Sequence, residues 1–203
     1  EAAEPALAAP EDQATLRNAK REAFLAWGKA DGDAGRNGEA AAHLQAAWEL
    51  TAEDDPPRRL ETLALLAAAY RRNGEADQAV AAYQAELERS EDGLYRVQLS
   101  TALAAFYQEW AESVEKEKGV AEALPLYENA LVYLPDQQWE RRYRIVQRLD
   151  PVYQEQKRFG KLIGYLEKTV TWFHSLTGAQ QDQIQKWVLI GAGVLAAVVR
   201  YYG

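Results

Sequence analysis

Apolar residues recur along most of this chain at intervals of three and four. Leu60, Leu63, Leu65, Leu66 and Tyr70 form one such run, and Ala79, Val80, Tyr83 and Leu87 form the next. That spacing lines one face of an α-helix. Sustained period-two alternation bounded by hairpin turns, the mark of a half-buried strand, is missing. The pattern predicts helices over 12–31, 38–52, 57–72, 75–90, 94–117, 119–133, 136–157, 160–176 and 179–201, hence an all-α fold. Asp150-Pro151 predicts a break or kink in the seventh, because proline lacks the backbone donor and collides with the preceding turn.

The helices come in a repeating order. Arg36-Asn37-Gly38-Glu39-Ala40 recurs unchanged 36 residues later as Arg72-Asn73-Gly74-Glu75-Ala76. Looser versions follow at Lys118-Gly119-Val120-Ala121-Glu122-Ala123 and at Arg158-Phe159-Gly160-Lys161-Leu162. Asn-Gly suits a helix end, since glycine takes the left-handed conformation that other residues resist. The acidic residue after it suits the start of the next helix, where the macrodipole favours negative charge. The unit is therefore helix–turn–helix, stacked in tandem.

On these residues the chain resembles the tetratricopeptide repeat (TPR) family. Ala123, Tyr127, Ala130 and Pro135 fall at the spacing of that family's second helix, and Tyr70, Gly74, Ala79 and Tyr83 match in the preceding unit. The first unit supplies Trp27 and Gly38, with Pro56 and Pro57 near its end, and the fourth supplies Leu162 to Lys168. His43, Glu86 and Leu162 depart from the pattern, each standing where a small residue is expected. The resemblance covers about residues 22 to 176. It implies a right-handed TPR-like α-solenoid of about four helix pairs, here followed by an apolar C-terminal helix. It further implies a groove lined by Leu25, Gly28, Gly32 and Gly35, then Glu61, Ala64, Ala68 and Arg71. The next units contribute Ala105, Gln108, Glu112 and Glu115, then Arg144, Gln147 and Gln154. The polar members Arg71, Gln108, Glu112, Arg144, Gln147 and Gln154 are the candidate contacts to a protein or peptide partner. The Lys and Asn pattern by which chaperone-binding members clamp a C-terminal carboxylate is missing.

The ends differ from the middle. Residues 1–11 are rich in Ala, Glu and Pro and read as a flexible leader ahead of a repeat domain at 12–176. With the non-Met start, this composition fits an exported or an engineered chain. Within 177–203, the stretch from Trp187 to Val199 has no polar side chain. A helix apolar all round must be buried by something. As a membrane anchor it would use Trp187 and Tyr201 at the interfaces and Leu189, Ile190, Leu195 and Val199 in the lipid. Trp187 to Tyr202 spans about 24 Å as a helix, short of a hydrocarbon core of ~30 Å. The competing expectation is a buried docking or capping helix.

Composition narrows the chemistry. The 203 residues carry 23 basic and 31 acidic side chains, a net −8, with no cysteine, no methionine and two histidines. No thiol chemistry or disulfide framework is available. The acidic balance argues against nucleic acid, which needs a basic surface. Residues 1–101 hold 19 acids against 11 bases, while the second half is balanced and its stretch 140–168 is basic. Such a dipole bears on how partners are steered. Glu39 and His43 are four apart on one helix and could share a metal, but a zinc site needs three or four ligands, and surface charge beside a partly buried histidine is the favoured reading. No phosphate-binding loop, nucleophile elbow or H-E-x-x-H is present. No cofactor, no metal and no enzymatic activity are expected.

The sequence thus predicts a non-enzymatic protein–protein interaction scaffold of the bacterial cell envelope, with a cytoplasmic location as the alternative. Its partner would lie on the repeat groove, and its C-terminal helix would attach to a membrane or assembly. A structural subunit of a membrane complex is the alternative, and a small-ligand receptor or enzyme the lesser one.

Overall fold

The computed structural model describes residues 10–156, together with Gly164, Thr171, Ser175, Leu176, Gly178 and Gln181. Among these residues the chain is helical and without strands. Seven α-helices follow in order: α1 (Pro10–Asp33), α2 (Asn37–Leu50), α3 (Pro56–Arg72), α4 (Ala76–Arg89), α5 (Gly93–Lys118), α6 (Val120–Tyr133) and α7 (Trp139–Glu155), with a 3-10 turn at Asp136–Gln138 before α7. The chain divides into two compact units, with the boundary inside α5 between Phe106 and Tyr107.

Local chemistry accounts for several of the helix ends. Asp55 caps α3, its side chain accepting from Arg58 N at 3.2 Å, and Pro56 and Pro57 occupy the first turn, where no donor is lost. Gly35, Gly74 and Gly119 lie at φ +75°, +81° and +99° in the turns before α2, α4 and α6. A side chain there would strain the backbone. The second helix of each pair ends alike, with Thr51, Ser90 and Leu134 extended at φ near −75° to −70°.

These turns correct the sequence register. The two copies of Arg-Asn-Gly-Glu-Ala do not fold alike. Arg72 ends α3 and Gly74 turns the chain, whereas Asn37 and Gly38 lie within the first turn of α2. The turn glycine of the first pair is Gly35, three residues earlier than Gly38. The first two structural units are thus offset by 39 residues, from Gly35 to Gly74. Aligned on the C-caps Thr51, Ser90 and Leu134, Ala40, Leu44 and Ala47 correspond to Ala79, Tyr83 and Glu86, and to Ala123, Tyr127 and Ala130, all buried. The small residue of the first pair is therefore Ala40, and His43 faces outward by comparison.

Two further expectations change. The helix α1 begins at Pro10, so the last two residues of the assigned leader are helical. The helix α7 does not end at Asp150 but runs through Pro151 to Glu155. Residues 1–9 and the predicted helices over 160–176 and 179–201, with Trp187, Leu189, Ile190, Leu195, Val199 and Tyr201, lie outside the described residues, apart from the few named above. No described helix is long and apolar enough to cross a membrane.

In the first unit α1 packs on α2, α2 on α3 and α3 on α4. The core joins Leu25, Ala40, Ala41, Leu44, Ala47, Leu66 and Ala69, with Phe24, Trp48, Leu65 and Tyr70 at its edge. Asn37 Nδ2 donates to Arg72 O at 3.3 Å, tying the start of α2 to the end of α3. Arg89 Nη1 reaches Glu53 at 2.7 Å, tying the end of α4 to the segment after α2. Alternate helices of this unit therefore share a direction. In the second unit α6 packs on α7, burying Leu124, Tyr127, Leu131, Ile145, Val146 and Leu149.

An arginine recurs at each passage from one pair to the next. Arg59, Arg96 and Arg142 are each the fourth residue of α3, α5 and α7. Arg59 Nη1 donates to Thr51 O at 3.2 Å, Arg96 Nη1 to Leu87 O and to Ser90 O at 2.9 Å, and Arg142 to Leu131 O at 3.1 Å and Leu134 O at 2.6 Å. The last carbonyls of a helix have no partner within it, and a guanidinium from the next helix supplies one.

Candidate functional site

Three polar clusters stand out, two in the first unit and one in the second. The most buried is built on Glu86, one of the residues that departs from the repeat pattern. Arg59 and Glu86 are 4% and 5% exposed. Arg59 Nε and Nη2 donate to the two Glu86 carboxylate oxygens at 2.6 and 2.7 Å, a bidentate fork. Tyr95 Oη donates to Glu86 Oε1 at 3.0 Å, and Arg89 adds a further bond. The Arg59 guanidinium also lies 4.0 Å over the ring of Trp48. Burial would raise the Glu86 carboxyl, but the bonds from Arg59, Tyr95 and Arg89 outweigh it and hold the group below the usual carboxylate range. Burial beside this carboxylate pushes the Tyr95 hydroxyl up. Every strong donor and acceptor is spent on joining α2, α3, α4 and α5. The cluster is a staple.

The second cluster joins α1 to α2. Arg36 Nε donates to Asp31 Oδ1 at 2.9 Å, and His43 Nδ1 stands 2.7 Å from Asp31 Oδ2. The Arg36 hydrogen bond, against some desolvation, holds the Asp31 carboxyl below its usual value, with His43 assisting. Glu39 turns to Arg36 at 2.8 Å rather than to His43, so the two do not converge as metal ligands. Among the described residues, no three His, Asp or Glu side chains gather as a metal site. Phe24, Trp27 and His43 pack with ring centroids 5.5–6.1 Å apart, and Trp27 is 53% exposed.

The third cluster, in the second unit, contains four of the six residues predicted to contact a partner. Arg141 Nε donates to Gln108 Oε1 at 2.6 Å, and Arg148 Nε reaches Glu115 at 2.7 Å. Both bonds join residues 33 apart, so α7 runs parallel to the end of α5. Gln108 Nε2 donates along its own helix to Glu112 Oε1 at 2.9 Å. Glu115 also accepts from Tyr127 Oη at 2.6 Å. Its burial acts to raise its carboxyl, but the Tyr127 and Arg148 bonds dominate and lower it. Arg144 and Gln147 lie exposed on α7, Arg144 bonding only weakly to Glu140 O at 3.4 Å and Gln147 Nε2 donating to Tyr143 Oη at 2.9 Å.

The other predicted contacts are dispersed. Gln154 is exposed further along α7, donating to Asp150 Oδ2 at 2.7 Å. Arg71 is half-buried in the first unit. Leu25 and Gly28 are packing residues: Leu25 is buried in the core, and a Cβ on Gly28 would sit 2.5 Å from Leu44 Cγ. A three-residue shift of the register gives Glu22, Leu25, Lys29 and Gly32 as the corresponding α1 positions, of which Glu22 and Lys29 are exposed and Leu25 is buried.

Sequence reasoning missed Arg141. Its signal was present, since residues 141, 144 and 148 fall at helical spacing on one face. It also passed over Glu86 as a lapse in the pattern, although an acid at a buried small-residue position demands a partner. Glu115, expected to line the groove, is a bridge between helices, bonded to Tyr127 and Arg148.

A scan against protein-family models finds no match to this chain, and a search of curated proteins finds no similar sequence.

Proposed function

We propose that this protein is a non-enzymatic interaction scaffold of tandem TPR-like helix pairs, forming a right-handed solenoid that receives a protein or peptide on its first helices. The observation that carries this reading is the polar face of α5 and α7. Two parallel helices, joined by bonds of constant 33-residue offset, present Gln108, Glu112, Arg141, Arg144 and Gln147 along one side. The tandem arginine caps and the three positive-φ glycines support repetition of one unit. The lowered carboxyls of Glu86 and Glu115 are engaged in ion pairs between helices, which is the behaviour of structural groups.

The C-terminal stretch 187–202 attaches the scaffold to a membrane or a larger assembly, which places it at the bacterial cell envelope. Its thirteen residues without a polar side chain support that part of the reading. Two experiments test the whole. Charge-reversing Arg144 and exchanging Gln108 and Gln147 for alanine should abolish cross-linking to the partner without unfolding the chain. Deleting residues 179–203 should release the protein from membranes with its fold intact. A truncated chain that unfolds, while the intact one stays soluble without detergent, refutes the anchor.

A further inference from the structure

We propose that the second unit binds an acidic peptide segment, with one carboxylate of that segment held between Arg141 and Arg144. The inference rests on the scaffold reading and names the chemistry of its partner.

The α5–α7 face is a ladder with one rung unmade. Arg141 meets Gln108 at one end, and Arg148 meets Glu115 at the other. Arg144 lies between them, three residues from Arg141 and four from Arg148. By the same 33-residue offset it stands opposite Ala111, beside Glu112. Glu112 is the natural partner by position, but its carboxylate accepts from Gln108 on its own helix. Among the described residues neither Arg141 nor Arg144 forms an ion pair, although Arg36, Arg58, Arg59, Arg89, Arg142 and Arg148 all do.

The two guanidiniums also oppose each other. Arg141 is half-buried, and burial together with the neighbouring Arg144 charge draws its pKa down, with Glu109 and Glu112 compensating only in part. An incoming carboxylate relieves both the desolvation and the repulsion. The Arg141 Nε is already committed to Gln108, so its fork is fixed in direction while its terminal nitrogens remain to donate. Arg144 is exposed and one turn away, within reach of the same anion.

The surroundings select among anions. Glu109 and Glu112 act on Arg141, Glu140 precedes it in the chain, and the chain as a whole carries −8. A dense polyanion such as nucleic acid meets repulsion on every side of so small a cationic patch. One or two carboxylates on a peptide fit, because the forked guanidinium matches their planar geometry.

The test titrates the full-length protein at pH 7 and low salt into a tetramethylrhodamine-labelled hexaglutamate, read by fluorescence anisotropy. Hexaglutamine and a single-stranded oligonucleotide of equal charge run alongside. Hexaglutamate should bind, weaken with added salt, and outcompete both controls. The double variant Arg141→Gln/Arg144→Gln should lose about tenfold or more, the scale of a charge-assisted hydrogen bond. Glu112→Gln should tighten binding about two- to threefold by removing a competing charge. The variant Arg17→Gln/Arg58→Gln, equal in charge change but distant in sequence and in the first unit, should leave it unaltered. Circular dichroism confirms that each variant folds. Equal loss in the two double variants, or binding of the oligonucleotide as tight as hexaglutamate, overturns the assignment. If a natural partner cross-links through α5 and α7 but is indifferent to Arg141→Gln/Arg144→Gln, the scaffold reading stands and the acidic-peptide assignment falls.

Discussion

One pentapeptide in two conformations makes a sharp test of the fold. Gly38 and Gly74 occupy the same place in identical Arg-Asn-Gly-Glu-Ala segments, so any argument from local sequence gives both the same sensitivity to substitution. The structure assigns them opposite signs. At Gly74 the backbone has φ +81°, and an added Cβ would find nothing within 4 Å. The effect of Gly74→Ala is then backbone strain of about 1–2 kcal/mol. The stiffer unfolded chain returns about 0.4–1 kcal/mol, leaving a net loss of roughly 1 kcal/mol. Gly38 instead lies in the first turn of α2, where an added Cβ would sit 3.5 Å from Asn73 Oδ1, an ordinary contact. Alanine there recovers the entropy glycine loses in a helix, a gain of roughly 0.5–1 kcal/mol. The two variants should therefore differ by about 1.5–2 kcal/mol in urea unfolding of the full chain, at unchanged m-value. Equal and same-signed effects would refute the three-residue register shift and the 39-residue unit.

The remaining predictions concern packing and charge. Glu86→Ala leaves the Arg59 guanidinium buried without its fork and should cost about 3–5 kcal/mol, whereas Arg59→Met/Glu86→Leu should recover most of that loss; a double variant as unstable as the single one contradicts the staple. Because the folded Glu86 carboxyl is lowered, its contribution is complete above the unfolded value of about 4.3. It is lost as pH falls through the folded value, so the gap between wild type and Glu86→Ala should narrow only below about pH 4. Gly28→Ala would force a Cβ to 2.5 Å from Leu44 Cγ in the core and should cost about 1–3 kcal/mol, partly rescued by trimming Leu44 to valine. No loss on thermal melting would show that α1 does not pack as described.

Much of this protein is legible in one dimension. Helix positions follow from the period of Leu63, Leu66 and Tyr70 or of Ala79, Tyr83 and Leu87, because an α-helix repeats its face within a few residues. Prolines at the start of α3 and glycines between helices mark ends for equally local reasons. That Gln108 and Glu112 share one helix, and Arg144 and Gln147 another, is legible from register alone, since a helix carries a constant spacing along its length.

What the tertiary structure decided are the matters that depend on partners distant in sequence. Gly35 rather than Gly38 turns the chain because Gly28 must close on Leu44, and that contact sets where α2 begins. Glu86 reads as a flaw until Arg59 and Tyr95, contributed by two other helices, make it the most heavily bonded carboxylate described. Arg144 is legible as a groove position, but that it forms no ion pair among the described residues is decided by Glu112, which turns toward Gln108. Periodicity is a property of the chain, and each of these is a property of what the neighbouring helix brings, which no local pattern can encode.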